Sequence, residues 1–304
     1  EAGRLGVAGR RTDAEAVFAQ EVVGGGSAAV FLEYGRFLRL DGRLNQAMIM
    51  LTRALDLAGA QGSRALEADA HLELGMLLDA QDNVGRAEES FRTALDLYVE
   101  LHRDEGIADS KRNIGQLLAR RGELDEAEAM YRAALAIDER LGRRDGMADD
   151  YSYIGNALQA RGDLAGAEKM HQAALGIDRE LQRLEEVAKH HGDLGSVRYM
   201  RGDWAGAEEM YGEALKLDQT LGRLDAMADD FSNLGNVLVA RGDLDGAEEM
   251  HRKAIDIDER LQRSEGLADH YENLAAIEET RGRRDHAEAL REQARLARQR
   301  YEGT

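Results

Sequence analysis

Residues 146–161 read GMADDYSYIGNALQAR, and residues 162–181 continue GDLAGAEKMHQAALGIDREL. In the first stretch Met147, Tyr151, Ile154 and Leu158 recur at helical spacing, which predicts an amphipathic helix. Arg161 places a cation in its last turn, where it complements the helix dipole. Gly162 suits the left-handed position after the helix end, and Asp163 suits the cap of a second helix over about 164–181. Ala167, His171, Ala174, Leu175, Ile177 and Leu181 form the inward face of that second helix.

The same plan recurs every forty residues. Alanine stands at 28, 68, 108, 148, 188, 228 and 268, and a second column runs from Ala47 to Ala287. A third runs from Ala54 to Ala294, and glycine fills 35, 75, 115, 155, 195 and 235 until Ala275 breaks the series. A strict period of this length predicts stacked supersecondary units rather than one closed core. The glycine column predicts close approach of the two helices of a unit, with Gly155 meeting Ala167 and Ala174. Seven units span 28–304, and 1–27 reads as a partial first repeat, with a helix at about 12–22 and a turn capped by Ser27. Asp82 replaces a turn glycine and is expected to shift that turn slightly. Arg291, Arg295 and Arg298 give the last helix the polar outer face of a cap.

Composition excludes several classes. With no cysteine there are no disulfides or thiolate metal sites, and with no proline the helices run uninterrupted. A net charge of -19 argues against nucleic acid and against an anionic membrane surface. No stretch is long and apolar enough for membrane insertion. The expected location is the cytoplasm, although the chain opens on Glu1 like an excised piece, so a targeting signal can lie outside it.

Relative to Gly155, the positions of Tyr151, Ile154, Leu158, Gly162, Ala167 and Ala174 resemble the tetratricopeptide repeat. Phe231, Leu234, Gly235, Leu238, Gly242, Ala247 and Ala254 fit the same frame. The usual proline at the end of the second helix is absent, with Arg179 and Glu259 in its place, and each unit is six residues longer. Ser232-Asn233-Leu234-Gly235-Asn236 makes the array similar to Pins-type adaptors, kinesin light chains and bacterial scaffold or sensor proteins.

The resemblance implies an all-α, right-handed superhelical solenoid of antiparallel helix pairs. It also implies a concave groove lined by first helices. The groove positions would be Asp109, Arg112 and Gln116, then Asp149, Ser152, Asn156 and Gln159. Lys189, Ser196 and Tyr199 follow, then Asp229, Ser232 and Asn236. All of them fall on the i, i+3, i+7 and i+10 positions of their helix, so each set shares one helix face. Asn156 and Asn236 could hold a peptide backbone through amide donors and acceptors, with Gln116 as a substitute. Arg112, Lys189, Tyr199 and the aspartates would add specificity.

The expected function is non-catalytic binding of a protein or peptide segment, with a basic segment favoured by the charge. A plain solvated face is the bland alternative. The aspartate column from Asp69 to Asp269 fits either a basic partner or simple stabilisation of helix starts. The column from Glu88 to Glu248 reads as a solvated stripe. His171, His190, His191 and His251 show no His-x-x-x-His spacing, and the adjacent side chains of His190 and His191 diverge on a helix, so no metal and no cofactor is expected. Self-association through repeat faces is one competing reading, and a regulatory arm of a larger effector protein is another.

Overall fold

In the computed structural model residues 11–302 are described; residues 1–10 of the expected partial repeat lie outside them, as do 303–304. Among the described residues all regular structure is helical. The chain divides into two compact units, Glu1–Ala157 and Leu158–Thr304.

In the first unit lie α1 (Arg11–Val23), α2 (Ala28–Leu40), α3 (Leu44–Ala60), α4 (Arg64–Ala80) and α5 (Val84–Glu100). They are followed by α6 (Asp104–Arg120), α7 (Leu124–Leu141) and the first part of α8 (Arg144–Ala160). The second unit holds the end of α8, then α9 (Leu164–Leu181), α10 (Leu184–Met200), α11 (Trp204–Leu221) and α12 (Leu224–Arg241). It closes with α13 (Leu244–Leu261), α14 (Ser264–Thr280) and α15 (Arg284–Glu302). Each helix packs mainly on its chain neighbours, as in α4 on α5 or α10 on α11, so the contacts are local and repetitive.

The small columns are the seams. Every member of the three alanine columns is at most 2% exposed. The glycines have a different partner from the expected alanines. A Cβ on Gly75 would stand 2.5 Å from the Phe91 ring, and one on Gly195 would stand 2.8 Å from Tyr211. On Gly235 it would stand 2.7 Å from His251. The glycine therefore makes room for the large residue three positions before the third-column alanine. Ala275 breaks the glycine column where Arg291 holds that large-residue position, and Arg291 reaches out to Glu279 instead of filling the seam.

The turns repeat as well. Asp163, Asp203 and Asp243 cap α9, α11 and α13 by accepting from the N–H of Gly166, Gly206 and Gly246 at 2.9–3.0 Å. Gly162 and Gly202 take the expected left-handed conformation with φ of 86° and 79°. Asp82 adopts the same conformation at φ 58° and keeps the turn, with the Asn83 N–H donating to Leu78 C=O at 2.8 Å. The turn shifts only slightly: φ at Asp82 lies below the 76–86° of the glycines at the equivalent positions, while the closing hydrogen bond is kept.

Candidate functional site

Three members of the aspartate column are paired. Arg103 meets Asp69 at 2.9 Å, Arg143 meets Asp109 at 2.8 Å and Arg263 meets Asp229 at 2.9 Å. Each arginine closes the same repeat, thirty-four residues on, in the turn that leads into the next. Arg143 and Arg263 also donate to the backbone carbonyls of Glu105 and Asp225. These carboxylates are therefore not an unbalanced field for a basic ligand. The glutamate stripe is joined to the following repeat, with Glu88 on Arg121, Glu168 on Arg201, Glu208 on Arg241 and Glu248 on Arg281. Such half-exposed pairs each contribute roughly 0–1 kcal/mol and fix register more than stability.

A second, buried polar ladder runs beneath them. Asp138, Asp178, Asp218 and Asp258 each sit near the end of a second helix and face the residue twelve positions on. In the first unit Arg112 bridges Asp138 at 2.6 Å and Asp150 at 2.7 Å. Arg112 is only 8% exposed, which corrects its expected place as a partner-reading groove residue. The physical reason is charge: two buried carboxylates need a counterion, and this guanidinium supplies it. Ser152 is also corrected, being 4% exposed with a hydroxyl that no group accepts or donates to. Burial pushes the Asp150 carboxyl up to about 7, against the pull of Arg112.

In the second unit the ladder alternates. His190 Nε2 lies 2.8 Å from Asp178 Oδ2, and His270 Nε2 lies 3.1 Å from Asp258 Oδ2. Between them the equivalent pair is two buried carboxyls, Asp218 and Asp230. Burial and the Asp218 charge push Asp230 up to about 8.

The remaining sequence-derived positions divide by exposure. Asp109, Gln116, Asp149, Gln159, Ser196, Ser232 and Asn236 are half-buried, while Asn156, Lys189, Tyr199 and Asp229 are exposed. Gln159 donates to Ser196 Oγ at 2.9 Å, linking successive first helices. Lys189 lies 3.8 Å from Glu186 on its own helix.

Asp229 and Ser232 open onto a cleft of about 1200 Å³ within the second unit. Asn236 is not among its lining residues. Its walls come from the start of α12, the end of α13, the start of α14 and the C-terminal part of α15. Asn233, Glu259, Arg263, Asp269 and Tyr271 line it together with Leu296. Tyr271 Oη donates to Glu259 Oε1 at 3.4 Å. Of these lining residues, Asp269 stands in the aspartate column, which fits a basic partner or helix-start stabilisation; the others escape a reading confined to one face of the first helices. The signal present in the sequence was the segment from Glu259 to Ser264, which spans the end of α13, the turn at 262–263 and the start of α14.

The tetratricopeptide repeat model matches residues 66–140, 104–180, 147–220, 185–260 and 226–300. The chain belongs to the tetratricopeptide repeat family, whose repeats generally serve as non-catalytic protein-interaction scaffolds. Among solved structures it is similar to BtubC (BKLC) from P. vanneervenii, at 25% identity and TM-score 0.61, covering 73% of this chain and 91% of that one. It is also similar to a signal transduction ATPase with a tetratricopeptide repeat sensor from Pyrococcus horikoshii, at 14% identity and TM-score 0.74. That match covers 88% of this chain and 41% of the other. Aspartyl phosphate phosphatase F from Bacillus subtilis matches at 14% identity and TM-score 0.69, covering 90% and 71%. The last two likenesses concern the fold. No curated protein matches the sequence significantly. No helix among the described residues is long and apolar enough to cross a membrane.

Proposed function

We propose that this chain is a non-catalytic interaction module, and that its second unit holds an extended partner segment in the cleft between α12, α13, α14 and α15. The observation that carries this reading is the cleft itself: about 1200 Å³, lined by amide, hydroxyl, carboxylate and guanidinium groups that the apolar seams do not use. Asn233 and Ser232 offer donors and acceptors that suit a peptide backbone in any sequence. Asp269 and Glu259 favour a cationic side chain on the partner, whereas Arg263 is already shared by Asp229 and Asp258. His270 lines the same cleft but is 4% exposed and tied to Asp258, a structural rather than a chemical role. Asn156, Lys189 and Tyr199 extend the proposal as exposed first-helix positions available for contact.

A test uses peptides selected from a random display library on the full chain. Ser232→Trp fills the cleft and is expected to weaken a selected peptide at least about tenfold, a loss of roughly 1.4 kcal/mol, with helicity unchanged. Undiminished binding by a folded Ser232→Trp variant would overturn the assignment.

A further inference from the structure

Three side chains near the start of the second unit form a group that the cleft does not use. His171 on α9 is fully buried, and neither of its ring nitrogens has a hydrogen-bond partner. His190 on α10 is 1% exposed; its Nε2 is held by Asp178, and its Nδ1 has no partner. Asp193 lies one turn beyond His190. Its Oδ2 is buried without a hydrogen bond, 3.6 Å from His171 Nδ1 and 3.8 Å from His190 Nδ1. One ligating atom from each residue lies within 4.8 Å of the others.

Buried polar atoms are normally satisfied, and here donor atoms on three residues converge without partners. The Asp178 contact makes the arrangement directional. A carboxylate accepting from Nε2–H fixes the tautomer that leaves a lone pair on Nδ1, the nitrogen nearer Asp193. A carboxylate behind an imidazole is the usual support of a histidine that binds metal.

We propose that His171, His190 and Asp193 bind one zinc ion, with solvent completing a tetrahedron. Zinc bonds nitrogen and carboxylate oxygen at about 2.0–2.2 Å, so tetrahedral donors stand roughly 3.4 Å apart. The two separations to Asp193 need to contract only a few tenths of an ångström, within the reach of side-chain rotation. Two imidazoles and one carboxylate suit a borderline ion such as zinc better than calcium or magnesium, which prefer all-oxygen sets. The ligands come from the second helix of one repeat and the first helix of the next. The ion therefore pins α9 to α10 at a seam between repeats.

The chain carries its own comparison eighty residues on. His251, His270 and Asp258 repeat the two imidazoles and the supporting carboxylate, but Asn273 stands at the counterpart of Asp193. A neutral amide is a poor zinc ligand, so this second group is expected to bind far more weakly.

The experiment is calorimetric titration of the untagged, chelator-treated full chain with zinc chloride, with cobalt(II) absorption as the reporter of tetrahedral geometry. The native chain is expected to take up one equivalent at this site. Asp193→Asn should weaken it by at least about tenfold with unchanged far-ultraviolet circular dichroism. Asn273→Asp should add a second equivalent, an outcome that does not depend on how well the Asp193 variant folds. No uptake by the native chain, uptake unaffected by Asp193→Asn, or no second equivalent in Asn273→Asp would overturn the proposal.

Discussion

At the scale of single residues, the buried charges decide more than the exposed ones. Removing Arg112 takes away the counterion of Asp150 and leaves Asp138 with only Arg143, at 3.5 Å. Arg112→Ala is expected to cost roughly 3–5 kcal/mol at neutral pH, measured by denaturant unfolding. The cost should shrink in acid, where Asp150 takes up a proton. Asp230 gives the clearest pH dependence. Its folded pKa is raised from the ordinary carboxylate range to about 8, so the folded state binds the extra proton. That contribution is complete below about pH 4 and is lost as pH rises through about 8. The groups around the pair are Arg223, Asp225, Asp229 and Glu185, of which only Arg223 opposes the shift. Asp230→Asn should therefore flatten the fall in melting temperature between about pH 5 and about pH 8; an unchanged slope would remove Asp230 as its source.

The sequence could not show this ladder in a search for one-helix motifs. Its partners are twelve residues apart on different helices, and they alternate between Asp and His with an eighty-residue period. For the same reason Arg112 read as an exposed variation in a polar column. Only the packing of α6 against α7 and α8 shows which aspartates it must neutralise.

At the scale of the element, helix geometry was far more legible. The interval from Leu164 to Leu181 agrees with α9 at both ends, because Asp163 and the left-handed Gly162 set its start by local chemistry. The contact partner of each glycine was not legible, since a small residue shows only that something comes close, not what. The two kinds of helix glycine should now respond in opposite ways. Gly195→Ala drives a Cβ into the Tyr211 ring and is expected to destabilise by about 1–3 kcal/mol. Gly212→Ala on α11 meets nothing within 4 Å and should stabilise by about 0.5–1 kcal/mol. Equilibrium unfolding of both variants checks the pair, and equal shifts would contradict the assignment of the glycine column to seam packing.

At the scale of the whole molecule, the forty-residue period specifies a scaffold and says little about its ligand. The arginine–aspartate pairs show why a net charge of -19 is a weak guide to the partner: three members of the acidic column are already engaged. In the function proposed above, partner specificity would rest on cleft-lining residues such as Asp269 and Glu259. The most direct test of the account is hydrogen–deuterium exchange on the full chain, with and without a peptide selected from a random library. Slowed exchange in α12, at the end of α13 and at the start of α14 is the predicted result. A bound peptide that slows exchange only in other helices would contradict it.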